Sequence, residues 1–285
     1  NFLHIKATTF LLIAPILSFS VTSFVYRSFL QGLLRFKEVV VTTNLDIIGR
    51  LALGFVFISL GLSSFGAVLG LVFSTMIAFL LLRHYLRDYR LVKVKGDFGQ
   101  SRKVVRYATP IFFATIATNS MFSTDVILVK HFFSPHDAGI YASVSTLGKI
   151  IFFGAGPVGA VMFPMISKRH AKGQGYKKIF FLSLLLTTAI AFGVLFIYWL
   201  FPELSIKILY GQEFLEGAPF LLWFGVFITI FTLASLILNY FLSRDKTIVT
   251  VAAVVAALAQ ILGIWIWHSS ILEVIKVSIA SSMIF

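Results

Sequence analysis

VVRYATPIFFATIATNSMFSTDVILVKHFFSPHDAGIYASVSTLGKIIFFGAGPVGAVMFPMISKR, residues 104–169, consists of two long apolar runs joined by a short polar turn. A membrane helix needs about 20 mainly apolar residues to cross roughly 30 Å of hydrocarbon, and each run is long enough. Each also carries an ionisable group, Asp125 in the first and Lys149 in the second. A charge inside a bilayer costs about 2.5–3.5 kcal/mol on insertion scales, so it usually faces a partner or a hydrated cavity rather than lipid. The stretch therefore reads as a pair of membrane helices with a polar interior.

The rest of the chain has the same character. Of its 285 residues 59% are hydrophobic and 12% charged, against about 25% charged in an average soluble domain, and the mean hydropathy is +0.96. Apolar segments fall at about 8–26, 39–60, 63–82, 107–130, 138–166, 179–201, 218–242, 247–267 and 271–285. These runs are continuous, unlike the alternating segments of roughly ten residues that build a membrane barrel. The predicted fold class is thus an all-α polytopic membrane protein with about nine transmembrane helices. The start at Asn1 and the apolar run reaching Phe285 read as a fragment of something longer. With no cysteine in the sequence, disulfides and thiolate metal sites are excluded.

The net charge of +13 does not point to nucleic acid, because the basic residues lie in short loops rather than on one face of a soluble domain. One set of connections holds Arg27, Arg35 and Lys37, then Arg83 to Arg106, then Lys168 to Lys178, then Arg244 and Lys246. The opposite set is poor in cations and holds Asp137, Glu203, Glu213, Glu216 and Glu273. Basic short loops stay cytoplasmic, so the alternation fixes an orientation. The longest connection, RHYLRDYRLVKVKGDFGQSRKVVR from Arg83, reads as a linker between two helical bundles. The expected division is 1–82, the linker 83–104, and 105–285. A shift of 209 residues also aligns the segment from Leu33 with that from Leu242, matching Arg35 with Arg244 and Lys37 with Lys246. That is a weak internal repeat, of the kind produced by parallel repeats about the membrane normal.

Polar groups inside these segments are the candidate site residues. Thr43, Asp46 and Arg50 share a helical face, and Arg50 lies roughly 16 Å from the cytoplasmic end at 1.5 Å per residue. Asp46 and Arg50 either neutralise each other or present a cavity cation, and a guanidinium suits bidentate phosphate contacts. Thr115, Thr118, Asn119, Phe122 and Asp125 fall on a face about 120° wide. Asp125 reads as an interfacial anchor, a partner of Lys130, or a group for substrate or ion coupling. Lys149 either reaches Asp125 or faces a cavity. Gly154, Gly156, Pro157, Gly159 and Pro164 are hinge or packing candidates, since proline removes a backbone donor and glycine permits close helix approach. Residues 201–218 read as either a short interfacial helix or a loop.

Some chemistries have no support. The glycine-rich run lacks the ending and strand context of a phosphate loop, and no metalloprotease motif or Ser/His/Asp grouping occurs. His131 and His136 read as solvated turn residues, so no metal site and no cofactor is expected. The external loops are too short to hold the clustered acids of a membrane glycosyltransferase or polymerase, which argues against an enzyme.

DVILVKHFFSPHDAGIYASVSTLGKI and GAVMFPMISKR, with YRSFLQGLLRFKEVV, the run from Gly49 and ILYGQEFLEGAPFLLWFG, resemble polysaccharide flippases of the multidrug/oligosaccharidyl-lipid/polysaccharide exporter superfamily. The resemblance implies a two-lobe fold of twelve to fourteen helices. Residues 1–82 then look like helices four to six and residues 105–285 like helices seven to twelve, the last of them truncated. It further implies a transporter passing a lipid-linked oligosaccharide to the outer leaflet by alternating access, for cell-surface polysaccharide synthesis in a prokaryotic inner membrane. The expected partners are that substrate, membrane lipids and other polysaccharide-assembly proteins. Substrate-cavity candidates are Arg50, Lys149, Asp46, Asn119 and Asp125. The alternatives are a drug or metabolite antiporter coupled to protons or sodium, with Asp46 or Asp125 taking the cation, and a non-catalytic component of polysaccharide assembly.

Overall fold

The computed structural model describes residues 13–87, Tyr89 and residues 98–285, and among these every regular element is helical. The chain forms two compact units, Asn1–Lys95 and Gly96–Phe285. Of the expected linker, 88 and 90–97 lie outside the described residues, while Arg83 to Tyr85 still belong to one helix and Phe98 already opens the next.

In the first unit, α1 (Ile13–Gly32), α2 (Phe36–Phe57) and α3 (Ser63–Tyr85) run back and forth. Leu34, with φ 62°, turns α1 into α2, and Gly61, with φ 84°, turns α2 into α3. The α2/α3 pair packs through small residues. A Cβ added to Gly70 would stand 2.5 Å from the Gly54 nitrogen and 2.7 Å from its Cα. That absence of side chains lets two backbones touch where lipid supplies no hydrophobic drive for helices to associate. The outer faces remain greasy, with Phe55 76% and Leu51 73% exposed, as helices bathed in acyl chains require.

The second unit holds α4 (Phe98–Phe132), α5 (Pro135–Gly148), α6 (Ile150–Ala171), α7 (Lys177–Leu200), α8 (Pro202–Tyr210), α9 (Ala218–Leu242), α10 (Thr250–Ile266) and α11 (Ile271–Ile284). Helix α9 is its axis, burying Phe224, Phe227 and Phe231 against Tyr141, Leu147 and Ile151. Tyr107 on α4 donates to the Leu242 carbonyl at the end of α9, 2.8 Å away. Within residues 201–218 the chain does fold into a short helix, α8, which buries Ile206 and ends at Gly211, where φ is 86°.

Among the described residues seven helical spans are long and apolar enough to cross a membrane. Two of the nine expected segments are not among these seven. The segment at 8–26 begins outside the described residues, and α11 has 14 residues, short of the roughly 20 a crossing takes.

The fifth expected segment is one span made of two helices. It breaks at Gly148 and Lys149, and α6 then runs on through Pro157 and Pro164. Two contacts mark the break. The Phe224 ring lies so close to Gly148 that an added Cβ would collide with it, and buried Tyr198 donates to the Leu147 carbonyl at 2.6 Å. Gly148→Ala is therefore expected to destabilise the second unit by about 1–3 kcal/mol, the usual cost of overpacking. A thermal-unfolding scan in detergent checks this, with Gly156→Ala as a neutral comparison because open space surrounds that position.

Candidate functional site

Among the described residues the buried carboxylates inside the spans are Asp46 and Asp125, one in each unit. In the first unit the centre is Asp46, 4% exposed. Arg50, one helical turn on, grips it bidentately: Nε donates to Oδ1 and Nη2 to Oδ2, both at 2.9 Å. Arg27 on α1 donates its Nη2 to the same Oδ2 at 3.3 Å and to the Thr42 carbonyl at 3.2 Å. Ser74 and Thr75 on α3 complete the ring. Ser74 Oγ donates to the Asp46 carbonyl at 2.6 Å, and Thr75 Oγ1 reaches Asp46 Oδ1 at 3.5 Å.

Two guanidinium groups thus share one carboxylate, so the cluster keeps an excess positive charge. The Arg50 side chain is 40% exposed and that of Arg27 21%, and Arg27 Nε has no hydrogen-bond partner. The cluster thus combines a net cation, a buried Arg27 Nε with no partner, and an Arg50 guanidinium that is partly exposed.

The sequence places Arg27 among the loop cations; the structure corrects that, setting it inside α1. The signal was the register of the α1/α2 hairpin. Arg27 precedes the turn residue Leu34 by seven positions and Thr42 follows it by eight, so an antiparallel pair sets them level. The long arginine side chain then spans the remaining turn to Asp46.

In the second unit Asp125 is fully buried. Tyr141 donates its hydroxyl to Asp125 Oδ2 at 2.8 Å, while Oδ1 has no partner. Lys130, one of its expected partners, is exposed and forms no ion pair among the described residues. Lys149 Nζ sits 4.7 Å over the Phe122 ring, a cation–π contact, rather than in a salt bridge. The Tyr141 partnership also follows from register, because Asp125 and Tyr141 stand eight residues on either side of Phe133.

Tyr141→Phe is expected to lower the melting temperature measurably, since it leaves a buried carboxyl with neither oxygen bonded at a cost of about 1–3 kcal/mol. Differential scanning in detergent reads the shift. An unchanged melting temperature would mean that this bond does not hold the α4/α5 pair.

Beside this pair lies an open cavity of about 620 Å³ formed by α4, α6, α7 and α9. Asn119 lines it with Thr115 and Thr118 of the same helical face, and so do Gly156 and Gly159. Gly154, Pro157 and Pro164, like Asp125 and Lys149, are not in its lining. Among the described residues no group of three or more His, Cys, Asp or Glu is placed to hold a metal ion. His131, expected as a solvated turn residue, is exposed but lies in the last turn of α4 and stacks on Trp265, ring centres 6.2 Å apart.

Residues 3–170, more than half of the chain, match a family model described as polysaccharide biosynthesis protein. No curated protein and no solved structure matches the chain.

Proposed function

The chain belongs to the polysaccharide biosynthesis protein family, and from that premise we propose that it moves a lipid-linked oligosaccharide from the cytoplasmic to the outer leaflet by alternating access. It is a multi-pass membrane protein with a role in polysaccharide biosynthesis. In this reading it is a transporter and not an enzyme, sits in a prokaryotic inner membrane with its basic loops cytoplasmic, and works beside other polysaccharide-assembly proteins.

The observation that carries the reading is the Arg27–Asp46–Arg50 cluster. A cation excess held inside membrane helices is costly, and charges kept at that cost mark substrate or ion pathways. The anionic part of a lipid-linked sugar is its diphosphate, and guanidinium groups are the side chains that meet phosphate oxygens in pairs. Asp46 orients both arginines and keeps the empty site tolerable, and the diphosphate supplies the countercharge during passage.

The test is translocation in vesicles containing the full-length protein and a lipid-linked oligosaccharide, with a glycan-binding lectin reporting exposure on the far leaflet. Protein-dependent exposure is the expected result. No exposure, or export of a small solute driven by a cation gradient without any lipid-linked sugar, would replace the flippase reading with the antiporter one.

A further inference from the structure

The cavity in the second unit differs in chemistry from the arginine cluster: none of its lining residues is charged. Its polar groups are Thr115, Thr118, Asn119 and Ser123 on α4, Thr187 on α7, and Thr232, Ser235 and Asn239 on α9. Their donors are largely occupied by their own helices. Thr115 donates to the Ile111 carbonyl and Asn119 to the Thr115 carbonyl, each at 2.8 Å. Thr232 donates to Ile228 at 2.6 Å and the Asn239 amide to Ser235 at 3.0 Å.

What remains is a mixture of both kinds: two amide carbonyl oxygens and the lone pairs of several hydroxyls as acceptors, and the second N–H of each amide as a donor. Two hydroxyls have no partner at all. Thr187 Oγ1, in a residue only 1% exposed, and Ser235 Oγ are both buried and unbonded, yet both residues line the cavity. A buried polar atom left unpaired costs about 1–3 kcal/mol, so these hydroxyls favour a ligand that offers them a partner over an apolar one.

Aromatic rings form the remaining wall. Phe122 packs with Phe152 at 4.9 Å, with Phe153 at 5.8 Å and with Phe231 at 6.0 Å between ring centres, and Phe153 is 66% exposed. A ligand that fits must offer hydroxyls along its edges, which donate and accept alike, and apolar faces for the rings; the nearest cation, Lys149, is engaged over the Phe122 ring, and no lining side chain carries a charge. An acyl chain would leave the amides and the orphan hydroxyls unpaired, and a diphosphate would meet neutral hydroxyls and amides instead of guanidinium groups. The volume falls within the roughly 300–1,000 Å³ of small-molecule sites.

We propose that this cavity binds uncharged, hydroxyl-bearing sugar rings, with Asn119 and Asn239 accepting from sugar hydroxyls and the phenylalanine cluster packing against ring faces. The assignment rests on the flippase reading, and it gives the glycan a site of its own, separate in chemistry from the diphosphate site.

The two readings separate in one binding experiment on the full-length protein. The probes are the host cell's own lipid-linked oligosaccharide, extracted from membranes, and bare polyprenyl diphosphate. Native mass spectrometry measures both affinities. The paired substitution Asn119→Ala and Asn239→Ala removes side-chain bonds made only within their own helices, so the fold is expected to persist, and a thermal scan verifies it. This variant is expected to bind the glycosylated lipid about tenfold more weakly or worse, as lost hydrogen bonds to a ligand imply, with unchanged affinity for the bare lipid. Equal weakening for both lipids would make the cavity a lipid or diphosphate site, and no change for either would empty it of any role; each overturns the proposal. Wild-type protein that binds neither lipid would overturn the flippase reading and this inference with it.

Discussion

Arg50→Ala is expected to slow translocation of a lipid-linked oligosaccharide by about ten- to a hundredfold, the factor that follows from losing a charged hydrogen-bonding partner worth about 1.5–3 kcal/mol. The change removes one of two cations from the cluster and leaves Arg27 with Asp46. The local charge then falls from net positive to neutral, so an approaching diphosphate meets no excess. Insertion and yield are expected to stay near wild type, because the remaining pair is still compensated. Arg50→Lys restores charge but not the two-pronged geometry, and partial recovery of rate is expected from it. Normal translocation by Arg50→Ala would take this residue out of the mechanism.

Asp46→Ala is expected to act differently, on the fold before the function. Both arginines lose their shared carboxylate, and Ser74 and Thr75 lose the side-chain oxygen that draws α3 onto α2. Breaking one partner out of a buried ion pair typically costs about 3–5 kcal/mol, and the low end applies here because Arg50 remains partly exposed. Membrane yield and melting temperature should both drop. The double substitution Asp46→Ala with Arg27→Ala is expected to regain part of that stability, because it removes one of the two stranded charges. Unchanged yield for the single variant would show that Asp46 does not hold the three helices of the first unit together.

The contrast between these variants reflects what the sequence exposes and what it hides. The spans were legible because burial in lipid demands continuous apolar runs, and the charges within them stood out against that background. Asp46 with Arg50, and the face carrying Asn119, followed from helical spacing alone. Arg27 and Tyr141 did not, because their partners lie across a turn and only the hairpin register brings them together. Gly148 was passed over in favour of the glycines and prolines downstream. Its meaning comes from Phe224, on a helix much later in the chain, which no local pattern encodes. The cavity was hidden for a similar reason: Thr187, Ser235 and Asn239 look like ordinary polar residues in apolar helices until α7 and α9 pack beside α4.

The central claim is that the cation excess around Asp46 receives a diphosphate, and the most direct measurement is the affinity of the full-length protein for bare polyprenyl diphosphate, with and without Arg50→Ala. Wild-type protein is expected to bind it, with an affinity that falls as salt rises, and the variant is expected to bind at least about tenfold more weakly with a shallower salt dependence. Equal affinity and equal salt dependence in the two proteins would contradict the claim.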